Sequence, residues 1–600
     1  MSIPILAGVA WPYANALLHV GNLAGAYLPA DIFARYQRMR GRRMLMVSGS
    51  DAHGTPILVR ALDEGSTPEE VYQHYHERFL ELWQKIGITF DLYTSTHTEN
   101  HRKVSQAIFQ ALYDNGYLFA QKEQQWYSPS FGFLPDRFVE GTCYICGYPG
   151  ARGDQCDKCG NLLDATKLIN PRSRIDGSVP ELRETEHLYF DLPKLQKDLE
   201  AWLETKKDAW RPLVVHQSLG VLRSEGLKPR PITRDLTWGV PVPVPGWEHK
   251  VMYVWFEAVI GYLSATIEWA QRYADPQAWH EWWYNPEARL YYFIGKDNIP
   301  FHALMWPAQT MAAGARFGEL FEGQAPGPLN LPYDVPANAF LNLEGQKISG
   351  SRNWAVWCLD FLSRYDPDPL RYYLTIIMPE SRDTDWDWED FLRRNNDELV
   401  ATWGNLVHRV LSFTYKHWEG RVPEPGELHP EDRELLAQID QGFTTVGEHL
   451  ERVQLRAGLM EAMRLASEVN RYLERRAPWA LVKEGRKEEA GTVMFTAIQA
   501  INRLKILLAP YLPFTAEALH RLLGFTQPLF GPLVTEEVED EWGKRSILHY
   551  EADKGTARWE PQDVPSGQAL HRPKPLVRKL APSIVEEERA RLGQPPPLGN

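Results

Sequence analysis

Four of the five cysteines in this 600-residue chain, Cys143, Cys146, Cys156 and Cys159, fall within 17 residues as two Cys-x2-Cys units. Each unit places two thiols on one tight turn. Four thiolates together make the closed tetrahedral shell of a structural zinc, with no position left open for catalysis. Gly147, Gly153 and Gly160 give the intervening backbone the freedom such turns need. A redox pair accounts for one unit but not for two in one loop. The stretch therefore predicts a metal-held knuckle. The surrounding residues 128–180 are rich in Gly, Pro, Cys and Asp and lack periodicity, so they read as an insertion into a larger fold. Five cysteines in such a length cannot be a disulfide scaffold. Cys358, in the apolar run AVWCLDFL, reads as a buried, unreactive thiol.

Around the insertion the pattern is α/β. Residues 3–10 (IPILAGVA) and 44–50 (MLMVSGS) read as buried strands, and 21–39 as the helix joining them. Two apolar strands linked by a helix predict a parallel βαβ unit. Helices are expected over 68–86 and 97–114, and strands again over 251–256 (VMYVWF) and 290–294 (LYYFI). From about residue 388 the chain turns helical. Leu399, Trp403, Leu406, Val410 and Leu411 mark one apolar face, and Leu455, Leu459, Met463 and Ala466 another. Residues 553–567 read as an extended linker, and one short helix is expected near Ser583–Arg591. The apolar fraction of 44% and charged fraction of 24% are globular values. No apolar run is long enough to span a membrane, and the first residues predict a strand, not a signal peptide. A net charge of −13 gives nucleic-acid binding no support by itself, although a local basic groove remains compatible with it.

Two further strings carry chemistry. Pro12-Tyr13-Ala14-Asn15-Ala16-Leu17-Leu18-His19-Val20-Gly21-Asn22 lies between the first strand and the first helix. That is the carboxyl edge of a parallel sheet, where such folds bind nucleotides against helix N-termini. His19 and Asn22 are three apart and can face one ligand, and Gly21 allows close backbone approach. Taken alone, the string fits a capping Asn and a surface His equally well. Glu344-Gly345-Gln346-Lys347-Ile348-Ser349-Gly350-Ser351-Arg352-Asn353 is a loop of small residues carrying two cations. Such a loop can close over a polyphosphate, though alone it is better read as a basic surface turn.

Together these strings resemble the HIGH and KMSKS signatures of class I aminoacyl-tRNA synthetases. Their order, and the cysteine knuckle between them, resemble the methionyl-tRNA synthetase family in particular. SGSDAHGTPI (48–57), FLPDRFVEGTC (133–143), MYVWFEAVIGY (252–262), FIGKDNIPFHALMWPA (293–308) and RAPWALVK (476–483) carry the same resemblance, which spans roughly residues 3–525. It implies ATP-dependent activation of L-methionine and its transfer to tRNA(Met), in the cytoplasm, with Mg²⁺ accompanying ATP. It implies ATP contacts from His19, Gly21, Asn22, Gly295, Asp297, Lys347 and Gly350, with His19, Asn22, Lys347 and Arg352 catalytic. It implies a methionine pocket of Ala10, Trp11, Tyr13, Asp51, Trp255, Val259, Tyr262, Phe301 and His302, and anticodon contacts from Asn405, Arg409 and Trp479. The implied order is a split Rossmann-like parallel-sheet domain (1–116 and 231–340) holding the zinc-knuckle insertion (117–230). A lysine-loop joint (341–390), an all-α anticodon-binding bundle (391–550) and a linker and tail (551–600) follow. No dimerising β-barrel is apparent, so a monomer is expected.

The chain departs from the family pattern at Asn22, which replaces the second His of HIGH, and at Gly350, which replaces the second Lys of KMSKS. Losing one transition-state donor costs about 10²–10³ in rate, and Lys347 with Arg352 is expected to cover part of that role. Trp11 and Val259 stand where Leu and Pro are usual in the pocket. The rivals are another class I synthetase and a paralogue that binds tRNA without charging it, or adenylates a different amino acid. The larger Leu, Ile and Val enzymes need an editing insertion for which this length leaves no room.

Overall fold

Strand β1 (Ile5–Val9) is buried along its whole length, which is why it reads as an unbroken apolar run. It pairs in parallel with β2 (Met44–Ser50) on one side and with β4 (Arg289–Gly295) on the other. Beyond β2 lies β3 (Leu92–Ser95), and beyond β4 lies β5 (Ala337–Asn338), both parallel. Chain order thus reverses between β1 and β4. A crevice opens there at the strands' carboxyl ends, the place where open α/β sheets hold ligands. The helical run after β1 starts at Val20–Asn22, widens into a π-type turn over Leu23–Tyr27 and continues through Leu28–Met39. The computed structural model describes residues 3–153, 156, 158–159, 163–224, 226–324 and 326–595. Gly160 of the expected knuckle lies outside them.

The insertion is a long antiparallel ribbon. Leu118–Ser128 pairs with Glu181–Phe190 from Leu118↔Phe190 to Tyr127↔Glu181, with the cysteine segment at its far end. That end has its own small core of Leu134, Phe138, Val139, Cys143, Ala151, Cys156 and Leu168. A cluster of this size is too small to hold a fold unaided.

The C-terminal half contains three 22-residue helices, Pro430–Glu451, Leu455–Arg476 and Lys487–Leu508, packed with Asn405–His417. Both expected apolar faces are buried. The bundle is tied to helices Leu28–Met39 and Pro68–Ile86 by Arg371, fully buried on helix Pro367–Ile376. Its guanidinium donates to Asp31 (2.6 Å), Ile86 O (3.2 Å), Pro510 O (2.9 Å) and Tyr511 O (2.9 Å). Asp31 also accepts from Arg35 and from Thr89 N–H and O–H, so its buried carboxylate is met on both oxygens.

Three expectations change. Only Val251–Met252 of 251–256 is strand, and Val254–Glu257 is helical. A short apolar run has no periodicity to separate the two forms. Second, residues 533–550, expected inside the helical bundle, form a hairpin, β6 (Leu533–Asp540) and β7 (Gly543–Tyr550). β7 joins β3 antiparallel at Leu548↔Tyr93, so the hairpin covers an otherwise open sheet edge. Third, the stretch after residue 551 is packed down. Trp559, Val564, Leu570, Leu580, Ile584 and Val585 are buried, and the expected short helix is Ile584–Arg589. Among the described residues no helix is long and apolar enough to cross a membrane.

Candidate active site

One cavity of about 500 Å³ at the crevice brings together Ala10, Trp11, Tyr13, His19, Gly21, Asn22, Trp255, Gly295, Asp297, Lys347 and Gly350. The His19 segment is held from two sides. Asn22 Oδ1 accepts from His19 N–H (3.0 Å), and Val20 N–H and Leu18 O bond to Val356 O and Cys358 N–H (both 3.0 Å) just beyond the lysine loop. Gly21 is tightly enclosed here, since a Cβ would lie 3.0 Å from the His19 ring and 3.1 Å from Ile348. Burial lowers the His19 pKa to about 4, so the imidazole is neutral near pH 7. Its Nδ1 is buried without a hydrogen-bond partner among the described residues. Lys347 therefore supplies the cationic charge among these groups. Gly295 leaves room for the Asp297 carboxylate, which a Cβ would approach to 2.8 Å. Arg352 is not part of the cavity wall. Its guanidinium lies 3.5 Å from Lys347 O and braces the loop's backbone.

Of the expected methionine residues, Asp51, Val259, Tyr262, Phe301 and His302 do not line this cavity; they pack beside Tyr13, Trp11 and Trp255, which do. Tyr13 and Asp51 form a β-bridge, with Asp51 N–H donating to Pro12 O (2.8 Å) and Asp51 O accepting from Ala14 N–H (3.0 Å). Burial, then the nearby Glu257 charge, push the Asp51 carboxyl well above the usual carboxylate range. Trp255 stacks on Phe301 at 4.3 Å between ring centroids. His302 Nδ1 lies 2.9 Å from Asn298 O and must carry the proton there. Nε2 is then the acceptor for Tyr262 O–H at 2.7 Å. Val259 is buried one turn before Tyr262.

Three features of this pocket escaped sequence reasoning. The Trp11 indole fills a slot between two glycines. A Cβ on Gly49 would lie 2.1 Å from it, and one on Gly261 2.6 Å. Glu257, fully buried, accepts from His53 Nδ1 (2.8 Å) and His101 Nε2 (2.9 Å), and His53 Nε2 meets His97 Nδ1 (3.1 Å). Gly8 leaves room for Tyr262, which a Cβ would approach to 2.7 Å. A lone acid inside the apolar run VWFEAVI was the available signal for Glu257, because a buried carboxylate demands partners.

At the knuckle the four cysteine sulfurs all lie within 4.8 Å of one another. Cys146 and Cys156 sulfurs are 3.6 Å apart, and Cys143 and Cys159 sulfurs 4.0 Å. These separations are far longer than a disulfide bond of about 2.05 Å. They bracket the edge of about 3.8 Å that a tetrahedral zinc with 2.3 Å bonds would set. Ile145 and Cys146 N–H both point at Cys143 Sγ (3.4 Å). Gly147 takes the positive φ expected of it, and Gly153 packs against Asp136 O where a Cβ would not fit. The cluster has the form of a four-thiolate metal site.

In the bundle, Asn405 and Arg409 share a surface recess with His408, Asn470 and Arg471. Arg409 Nη2 donates to Asn470 Oδ1 (2.8 Å), and its guanidinium lies 5.6 Å over the half-buried Trp479 ring. Helix Leu455–Arg476 ends at Ala477, φ 38°, and Pro478 opens the short helix that carries Trp479. The three residues singled out from sequence therefore meet on one surface.

A nucleotide-type crevice with a lysine-bearing loop, a knuckle insertion and a helical C-terminal bundle define a class I tRNA synthetase architecture. The family model for class I tRNA synthetases (M) matches residues 5–411, and that for the anticodon binding domain of methionyl tRNA ligase matches 422–538. The methionine--tRNA ligase of Thermomicrobium roseum is 57% identical over 97% of this chain and 98% of its own length. That of Chloroflexus aggregans is 50% identical over 98% of each. The crystal structure of Mycobacterium tuberculosis methionyl-tRNA synthetase bound by methionyl-adenylate superposes with a TM-score of 0.74 at 23% identity. It covers 96% of this chain and 100% of the other. The chain belongs to the methionyl-tRNA synthetase family.

Proposed function

We propose that this chain activates L-methionine with ATP and transfers it to tRNA(Met), for initiation and elongation alike. The carrying observation is that His19, Asn22, Asp297 and Lys347 share one cavity with Ala10, Trp11, Tyr13 and Trp255. In the first step a methionine carboxylate oxygen attacks the α-phosphorus of ATP, and pyrophosphate leaves. In the second the terminal adenosine hydroxyl of the tRNA attacks the acyl carbon, and AMP leaves. Catalysis of the first step rests on positioning and charge stabilisation. His19, neutral, donates one hydrogen bond to the phosphates beside Asn22, and Gly21 lets them approach the backbone. Gly295 and Asp297 hold the ribose. Lys347 stabilises the charge on the departing pyrophosphate, Gly350 keeps the loop's approach open, and Arg352 braces the loop.

Asp51 pairs with the substrate ammonium. Around the side chain, the His302–Tyr262 pair satisfies its own polar atoms, and Trp11, Val259, Trp255 and Phe301 complete a mainly apolar lining with Ala10 and Tyr13, the Trp11 indole N–H being its one buried unpartnered donor among the described residues. Such a site favours an uncharged thioether, with sulfur–aromatic contacts adding about 0.3–1.5 kcal/mol. Asn405, Arg409 and Trp479 read the anticodon by edge hydrogen bonds and stacking. The four cysteines would hold a structural zinc that stiffens the knuckle beside the acceptor end. Mg²⁺ accompanies ATP. We assign 1–116 and 231–340 to the split catalytic domain, 117–230 to the insertion, 341–390 to the loop joint and 391 onward to the anticodon unit, with the hairpin returning to the sheet. The protein acts as a cytoplasmic monomer.

The test is amino-acid-dependent ATP–pyrophosphate exchange with methionine, homocysteine, leucine and cysteine. Strong exchange with methionine, and its reduction by about 10²–10³ in Lys347→Ala, is expected. Absence of exchange with any of the four would favour a non-charging paralogue.

A further inference from the structure

The lysine-bearing loop runs between two hinges, and the C-terminal segment touches both. Glu344, at the first hinge, has a φ of 48° and begins the turn between strands Leu341–Leu343 and Gln346–Lys347. Its carboxylate accepts from Trp388 N–H (3.0 Å) and from Arg589 Nε (3.1 Å). Arg589 also reaches Glu389 (2.8 Å) and Asp387 (3.6 Å), so one guanidinium sits among three carboxylates at the loop's base. Asn353, at the second hinge, has a φ of 52°, and its carbonyl accepts from Gly593 N–H (3.0 Å). Between these contacts, the buried Glu588 takes a bidentate bond from Arg364 (2.8 and 2.9 Å) and a third from Tyr365 O–H (2.8 Å). That fixes helix Ile584–Arg589 on the element that follows the loop.

The same segment is threaded through the rest of the molecule. Trp559 N–H bonds to Met39 O and its indole N–H to Phe443 O. Val564 exchanges two hydrogen bonds with Gln499, and Leu580 exchanges two with Asn396. The tail thus runs from the catalytic sheet along the anticodon bundle and ends on the loop.

We propose that the C-terminal segment is a strap that positions the catalytic loop, with Arg589 as its principal positioning residue. It holds Glu344 and Asn353 at a fixed separation, so that Lys347 meets the pyrophosphate without an ordering step. This rests on the reading that the loop acts in adenylate formation. The missing second lysine sharpens the need: with Gly350 in that place, Lys347 is the one lysine of the 344–353 loop.

Arg589 is partly exposed, so its replacement leaves the core intact. The experiment compares Arg589→Ala, Arg589→Glu and Arg589→Lys with Lys347→Ala. Methionine-dependent exchange is measured with KM resolved for each substrate, alongside amide hydrogen exchange over 344–353. Arg589→Glu is expected to lower kcat about tenfold and raise KM for ATP, with KM for methionine within about twofold of the parent. Faster amide exchange should be confined to the loop, and Arg589→Lys should restore most of the rate. Unchanged kcat and unchanged loop protection in Arg589→Glu, with Lys347→Ala still impaired, would overturn the strap and leave the loop's role standing. Equal rises in both KM values with protection lost throughout would overturn it too, by making Arg589 a stability residue. If Lys347→Ala itself were fully active, the loop's role would fail and take the strap with it.

Discussion

At the scale of single residues, the pocket is set by side chains that need particular neighbours. Trp11 stands where the family usually has a smaller residue, and it fits because Gly49 and Gly261 leave its slot empty. Sequence reading found Trp11 as a departure but not the glycines that admit it, because their contacts are made across the sheet and not along the chain. Asp51 gives a prediction with a definite sign. Its folded carboxyl titrates above the usual value of about 3.9, because burial and Glu257 disfavour the charged form. A raised carboxyl contributes stability at low pH that is lost as pH rises through the folded value. The methionine ammonium replaces that proton. The increase in melting temperature on adding methionine should therefore grow from acid toward neutral pH, and the growth should vanish in Asp51→Asn. A methionine effect equal at both ends of the range in the parent protein would remove the ammonium role.

At the scale of elements, local chemistry decided what was legible. The knuckle was readable because thiolate spacing is a strong and local constraint. The sheet strands were readable because strands buried on both faces are unbroken apolar runs. The hairpin β6–β7 was hidden because its partner, β3, lies more than 400 residues away in sequence, and only the open edge of the finished sheet explains it. The tail's packing was hidden for the same reason: Trp559 and Leu580 are ordinary apolar residues until their distant partners are known. For the knuckle, native mass spectrometry should show one zinc per chain, lost in Cys146→Ser. Chelation should speed amide exchange over the cysteine-bearing end of the ribbon while the central sheet stays protected. Equal metal content in Cys146→Ser would contradict the four-thiolate shell.

At the scale of the whole molecule, two distant candidate sites are connected through buried contacts. The recess of Asn405 and Arg409 lies on the bundle, the cavity of His19 and Lys347 lies at the sheet's crevice, and Arg371 with Asp31 forms a fully buried contact between these two parts of the molecule. Breaking such a pair on one side costs about 3–5 kcal/mol, so the joint resists hinge motion between the sites. The order of the two sites along the chain was evident in the sequence. Their buried connection was not, since it depends on one arginine meeting the carbonyls of Ile86, Pro510 and Tyr511. The most direct measurement is the charging of two tRNA transcripts with radiolabelled methionine, identical except that one carries the methionine anticodon and the other an altered one. Efficient charging of the first and at least about 10²-fold weaker charging of the second, matching the loss of paired anticodon contacts worth about 1–3 kcal/mol each, is the expected result. Equal charging of both, or of neither, would contradict the assignment of activation and anticodon reading to this one chain.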